Sequence, residues 1–544
     1  MAASAVGGWV ASAFITKLVE KVCTYAGDQY EYQRKDTKEK LSTLEKNLSS
    51  IQTAIHIAER VQAKNIAMGS WLRRIKDAAC QAEDVLDLFD YRVLQAQAED
   101  RGMISSVASA AAGSSSSSSS TVTTASTTTS SSSSSTVNQS VRLLKRFLFS
   151  DEDIDDLISV VNKFVEIDSE MQRFLEFVKI EDSKPEQAVQ WRTTSSMPSS
   201  EKFFGRVNEE NNLKKLLVQI NEQSSQPYDV ISIVGIGGVG KTALVQRVYN
   251  HFHDTHHFDL TVEQKEDDII SVLRPSYEHL PDHLKQCFVY FALFPKKYHL
   301  RGDELIQMWR AHGFLDTQTP DETARRYIND LLQLLFIEKV PNQEDHYVVH
   351  DLLHDFAESV SNGEHFRIED DFNVCIPRNV RHLYVSASNI LKVYMSLEEL
   401  KKNLRSLIIS KAQEGASCER VSSSNFNHIL EHILKELRSL RVLVLCNPDG
   451  MLPDSLDHLV HLRYLNIHES RNFINVPKSL FKLYHLQGLS LQTQDRIMKK
   501  ELQEGLSRLT QLRYLKAPKK IISSIELIGR PRSLKRTRGE QSEE

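Results

Sequence analysis

The leucines between residues 440 and 515 recur in one spacing: Leu440, Leu443 and Leu445; Leu462, Leu465 and Ile467; Leu486, Leu489 and Leu491; Leu512 and Leu515. A short strand turns alternate side chains to one side, so each LxxLxL unit presents its leucines to a single core. One copy cannot bury them alone, and stacked copies can. The period wavers between roughly 22 and 26 residues, as expected of a strand followed by a return segment. Earlier copies are expected at Leu383 and at Leu404, Leu407 and Ile409. The intervening Arg441, Arg463, Tyr464, Gln487, Arg513 and Tyr514 are expected to face outward. The pattern predicts a leucine-rich-repeat solenoid over residues 371–529 and a disordered tail over 530–544.

The other end of the chain follows a different period. Leu41, Leu44, Leu48, Ile51, Ile55 and Ala58 alternate spacings of three and four, and Leu72, Ile75, Ala79, Ala82, Leu86 and Phe89 repeat that rule. Both sets fall on one helical stripe, which predicts two amphipathic helices packed as an antiparallel pair and joined through Ala67 to Ser70. Ser150 followed by Asp151, Glu152 and Asp153 reads as a helix N-cap with acids favourable to the dipole, opening a helix to about Lys179. An N-terminal four-helix bundle over residues 1–180 follows, interrupted at 104–140 by a Ser/Thr insert with too little apolar surface to offset its ordering entropy. Residues 181–200 read as a linker.

Between these ends lies a phosphate-binding loop. Asp229 to Val234 reads as a buried strand, Gly235-Ile236-Gly237-Gly238-Val239-Gly240-Lys241-Thr242 matches GxxxxGK[ST], and Ala243 to Tyr249 reads as a helix. Glycines let backbone N–H groups converge on phosphate oxygens at a helix N-terminus. Lys241 reaches the β- and γ-phosphates in such a loop, and Thr242 supplies a hydroxyl to Mg²⁺. Hydrolysis needs a second acidic residue, usually at the end of an apolar strand, to hold the metal and organise water. Asp267-Asp268 follows Gln264-Lys265-Glu266 instead, so an active P-loop ATPase or kinase is disfavoured.

Composition bounds the partners. Among 544 residues, 67 basic and 72 acidic side chains nearly balance, which argues against nucleic-acid binding by bulk charge. The six cysteines lie far apart without zinc spacing and read as reduced and mostly buried. The apolar start, through Thr16, lacks the basic segment of a secretory signal, and no run reaches the ~20 apolar residues of a membrane span. A cytoplasmic chain is expected.

Several further motifs resemble one family, the plant coiled-coil NB-ARC leucine-rich-repeat (NLR) disease resistance proteins. Ala82-Glu83-Asp84-Val85-Leu86-Asp87 is similar to the acidic signature of that family's helical bundle, with Leu86 where Ile is usual. Phe204-Gly205-Arg206 resembles the segment that opens its nucleotide-binding domain and touches adenine. Lys285 to Pro295 resembles its winged-helix element, and Val349-His350-Asp351 its sensor of the ADP β-phosphate. The resemblance implies a multidomain, mainly α fold with α/β parts: the bundle, a truncated P-loop α/β remnant at 201–265, a winged-helix domain at 266–370, and the repeats.

It further implies an ADP/ATP switch in plant defence, with Mg²⁺ at Thr242. The implied nucleotide-binding residues are Phe204, Gly205, Arg206, Gly235, Gly237, Gly238, Val239, Gly240, Lys241, Thr242, Ala243 and His350. Implied partners are a pathogen effector or guarded host protein, and other receptor chains through the bundle. Membrane contact, at the plasma membrane, is expected only on activation, through the apolar first helix; the alternative is that this helix stays packed in its bundle. Glu83, Asp84 and Asp87 read equally as a solvated helix face or as an internal contact with repeat residues such as Arg441, Arg463 and Arg513. His350 alone would read as a surface or core histidine.

The chain departs from the family after Phe258 to Val262. It passes through Glu263 to Asp268 directly into Ile269 to Tyr277, the lead-in to the winged helix, omitting on the order of a whole small domain, ~100 to 200 residues. Only two candidate sheet strands remain, which predicts weakened or lost nucleotide binding. A nucleotide-independent interaction protein that modulates full-length receptors is the competing reading.

Overall fold

A computed structural model describes residues 11–26, 37–61, 66–112, 150–182, 206–223, 231–234, 241–254, 269–315, 320–369, 375–410, 423–446, 452–470, 476–493 and 505–517. They divide into two compact units: residues 1–183 with 281–544, and residues 184–280.

In the larger unit, helices α1 (Ala11–Ala26), α2 (Thr37–Val61), α3 (Ile66–Ala112) and α4 (Asp151–Asp182) enclose one core. Ile15, Leu18 and Val22 meet Leu41 through Ile55, Leu72 through Phe89, and Ile154, Leu157, Val161 and Phe164 there. Every described member of the two predicted stripes is buried, each large aliphatic contributing roughly 1.5–3 kcal/mol. The pairing differs from expectation. The chief partners of α2 are α1 and α4, and α3 packs on α4 and α1, so α2 and α3 are diagonal rather than an adjacent hairpin. Helix α3 already begins at Ile66, so residues 67–70 are its first turn and not a joint. It also runs through residues 104–112, assigned above to the Ser/Thr insert; the remainder of that insert lies outside the described residues. At the start of α4, Asp153 N–H donates to Ser150 Oγ (3.2 Å) and Ser150 N–H to Asp153 Oδ2 (2.8 Å), a reciprocal cap.

Residues 281–369 hold helices α8 (Asp282–Val289), α9 (Gly302–Ala311), α10 (Pro320–Gln333) and α11 (Asp351–Val360) with a small antiparallel sheet in the order β1 (Leu300–Arg301), β3 (His346–Val348), β2 (Glu338–Lys339). Phe288, Trp309, Leu331 and Phe356 are fully buried here. Gly302 opens α9 where the β2–β3 turn crosses it, its N–H donating to Asp345 O at 2.7 Å. A Cβ there would overlap the Asp345 carboxylate and lie 2.8 Å from the Tyr347 ring. Gly302→Ala is therefore expected to destabilise by about 1–3 kcal/mol, seen as a lowered denaturation midpoint.

Seven parallel strands follow in chain order: β4 (His365–Ile368), β5 (His382–Ser386), β6 (Ser406–Ser410), β7 (Val442–Cys446), β8 (Tyr464–Ser470), β9 (Gly488–Thr493) and β10 (Tyr514–Lys516). Leu407, Leu443, Leu465, Leu489 and Leu515 stand in register, each beside the next. With Leu404, Leu440, Leu462, Leu486 and Leu512 they form one continuous core. Two features escape the spacing rule. Strand β4 joins the sheet before residue 371, and helix α12 (Ser423–Glu436) lengthens the return between β6 and β7. The side facing away from the leucines is also covered, contrary to the expectation for Arg441, Tyr464 and Tyr514, which are buried. Tyr290 OH meets Ser406 Oγ at 3.2 Å, and Tyr514 OH donates to Asp303 Oδ2 at 3.1 Å, so helical elements close this face.

Cys23, Cys80, Cys287 and Cys375 are free of disulfides; of these four Cys287 is buried, Cys80 half-buried, and Cys23 and Cys375 exposed, against expectation. No described helix is long and apolar enough to cross a membrane.

The smaller unit holds α5 (Val207–Gln223), α6 (Lys241–Asp254) and α7 (Ile269–Glu278). Helix α7 was expected to belong with the winged-helix residues and falls in this unit instead. Glu210, buried, pairs with Lys214 at 2.7 Å and with Arg247 at 2.8 Å, tying α5 to α6. Residues 231–234 are not a strand: Ser232 is exposed and Val234 is 71% exposed. Among the described residues no strand pairs with this segment, and an extended segment needs a paired neighbour to count as a sheet strand. The second expected strand, at 258–262, lies outside the described residues, as do the 183–200 part of the linker and the 530–544 tail.

Candidate functional site

Helix α3 lies across the leading ends of strands β5 to β8. One arginine precedes each strand: Arg381, Arg405, Arg441 and Arg463. Their backbones bond in sequence, Arg441 N–H to Arg405 O (2.7 Å) and Arg463 N–H to Arg441 O (2.9 Å), which lines the guanidinium groups in one row. Strands stand ~4.8 Å apart and a helix rises ~5.4 Å per turn, so about one helical turn matches one strand. Asp77, Asp84 and Asp87 fall on one stripe of α3 and meet that row: Arg381 pairs with Asp77, Arg405 with Asp84 (2.6 Å), and Arg463 with Asp87. Arg441 sits centrally, 2.9 Å from Glu83 and 3.4 Å from both Asp84 and Asp87.

Asp87 is 1% exposed. Lys21 of α1 meets its other oxygen, Oδ1, and also pairs with Asp90 at 2.7 Å. Burial favours a neutral Asp87, but Arg463, Lys21 and Arg441 outweigh that and hold its carboxyl well below the usual range. Asp84 is likewise depressed: burial opposes ionisation, and Arg405, His461 and Arg441 overcome it. The contact continues along α3, where His485 Nε2 donates to Asp87 O (2.7 Å) and Tyr91 OH donates to Lys482 O (2.9 Å).

The sequence reading named Arg441, Arg463 and Arg513 as candidates for the acids. Arg513 is exposed, and the acids meet Arg405, Arg441 and Arg463. Arg405 was missed although the signal was present: it follows Leu404 as Arg441 follows Leu440 and Arg463 follows Leu462. Arg381, after Val380, has the same place but no leucine to mark it.

The nucleotide residues are less completely described. Phe204, Gly205 and the loop Gly235, Gly237, Gly238, Val239 and Gly240 lie outside the described residues. Lys241, Thr242 and Ala243 form the first turn of α6, the end of a helix that favours anions. Arg206 adopts φ 57° just before α5. His350 caps α11, its Nδ1 accepting the Leu352 N–H at 3.2 Å, which leaves Nε2 to carry the ring proton. Lys241 belongs to the smaller unit and His350 to the larger.

Three family models match the chain: the Rx N-terminal domain over residues 14–129, the NB-ARC domain over 208–266, and the disease resistance protein winged helix domain over 293–357. The chain belongs to the plant NLR disease-resistance family. Its NB-ARC match is partial, ending where the sequence leaves the expected domain. The NLR chain is 27% identical over 272 residues to disease resistance protein RPP8 of Arabidopsis thaliana, covering 48% of this chain and 28% of that protein. It is 34% identical over 133 residues to disease resistance protein RGA2 of Solanum bulbocastanum, covering 23% of this chain and 13% of that one. The NLR chain thus spans less than a third of the length of the curated relatives it matches.

Proposed function

We propose that this NLR chain is an immune-receptor protein whose four-helix signalling bundle is held inactive against a leucine-rich-repeat solenoid by the row of arginines. The observation that supports this reading is the burial of Asp87 between Lys21, Arg441 and Arg463. Such a contact suits a latch because it is strong only when complete: removing one partner leaves a buried charge uncompensated. Release would expose α1 to partner chains or to a membrane, and a pathogen effector or guarded host protein would act by shifting this equilibrium. Transient expression in leaf tissue tests it: Asp87→Lys should signal without elicitor, and Asp87→Lys with Arg463→Glu should fall back towards rest. Equal silence of single and double variants, at equal protein level, would sink the latch.

A nucleotide switch is the second element of the proposal. ADP or ATP, with Mg²⁺ at Thr242, would sit at the N-terminus of α6 with Lys241 on the phosphates. The exposed Val234 and the lack of a strand at residues 231–234 favour weak binding, because a phosphate loop takes its placement from the strand that leads into it. That observation supports the competing reading, a nucleotide-independent interaction protein. Calorimetry with ADP separates the two. A switch predicts heat that Lys241→Ala abolishes; an interaction protein predicts none from either protein.

A further inference from the structure

Among the described residues, one group of three side chains offers ligand atoms within 4.8 Å of one another: His354, Asp355 and Glu358 on α11. Two exposed carboxylates would by themselves mean little. His354 is different, being 2% exposed, with its Nε2 donating to the backbone oxygen of Phe294 at 2.8 Å. That bond fixes the tautomer and turns the Nδ1 lone pair into the free acceptor, and Nδ1 has no hydrogen-bond partner. A buried acceptor without a donor is destabilising, and a bound ligand would relieve it.

We propose that His354, Asp355 and Glu358 form a divalent transition-metal site of the zinc class. A carbonyl holding the far ring nitrogen is the support that metal-ligating histidines generally have, because it orients the lone pair on the near one. His354 and Glu358 stand one helical turn apart on the same face, so both reach one point. An imidazole nitrogen with carboxylate oxygens suits a borderline ion better than Mg²⁺ or Ca²⁺, which prefer oxygen alone. Both carboxylates are at present paired, Asp355 with Lys296 and Glu358 with Arg367 (2.9 Å), and are half exposed, at 51% and 50%. An ion would take the place of these cations. Lys296 is itself half exposed and can swing to water, and Arg367 keeps its bond to Ala292 O. Since Phe294 O holds the histidine, occupancy would fasten α11, the helix that His350 caps, to the segment around Phe294.

The test is titration of the full chain with Zn²⁺ alone by calorimetry, alongside Co²⁺ absorption in the visible. One ion per chain is expected, with affinity falling at least about tenfold in Glu358→Gln and in Asp355→Asn, whose exposed positions leave folding intact. His354→Gln should abolish the site, with the denaturation midpoint recorded because the ring is buried. No binding by the parent chain would overturn the assignment. So would Zn²⁺ of unchanged affinity and stoichiometry in both carboxylate variants, which would place the ion on other histidines.

Discussion

Arg441→Ala will detach the helical bundle from the repeats and lower stability by about 3–5 kcal/mol, the cost of stranding buried charge. Arg441 faces Glu83, Asp84 and Asp87 at once, and three carboxylates hold its guanidinium charged against burial, raising its pKa above the ordinary arginine value. Without it, Asp87 retains Arg463 and Lys21, while Glu83 loses the arginine it pairs with. Hydrogen exchange along α3 should rise around residues 80–91 while the bundle core stays protected, since Leu72, Leu86 and Phe89 point away into that core. Asp87→Ala should cost a similar amount. The double variant should cost well under the sum, because the two side chains share one network. Arg513→Ala, at an exposed place in the same row, should stay within about 0.5 kcal/mol. Additive losses at Arg441 and Asp87 would contradict the assigned coupling.

Acidification from pH 6.5 towards 4 will loosen the same contact through its histidines rather than its acids. His461 is buried beside the acidic row, with Nδ1 4.0 Å from Asp87 Oδ2. Burial lowers its pKa; Asp84 and Asp87 favour the proton, while His485 and Arg405 oppose it, and the balance is about 4 against an ordinary 6.5. His382, buried on β5, is also held well below 6.5, by burial and then by His365, His312 and Arg381. Between these values and 6.5 the opened chain binds protons that the closed chain does not, so stability falls as pH falls. For His461 the full effect is roughly 3 kcal/mol. Asp84 and Asp87 have the opposite position on the scale. Their pKa values are lowered, so their contribution persists through this window and is lost only below the ordinary carboxylate range. Denaturation midpoints between pH 7 and 4 should therefore slope downward, and His461→Gln should flatten part of that slope. An unchanged slope in His461→Gln would assign the effect elsewhere.

Much of the fold was legible because it rests on short-range periodicity. The three-and-four spacing of Leu41 to Ile55 and of Leu72 to Phe89, and the LxxLxL spacing of the repeats, each describe one element and the face it buries. Ser150 announced its cap in the same local way, although not the return bond with Asp153. What escaped depends on distant neighbours. Nothing in the spacing of two amphipathic stripes says whether the helices are adjacent or diagonal, since either arrangement buries the same leucines. Residues 231–234 read as a strand by composition, yet a strand exists only with a partner to bond to.

The acidic triad marks that boundary. By itself the sequence determined that Glu83, Asp84 and Asp87 share one turn of a helix and that arginines recur at one place in the repeats, because both facts follow from local geometry. Only the tertiary structure decided that these sets face each other, and which arginines take part. That choice depends on laying a helix of ~5.4 Å pitch across strands ~4.8 Å apart, starting at one particular strand. A shift of one strand would leave every local pattern unchanged, and the buried charges would have different partners.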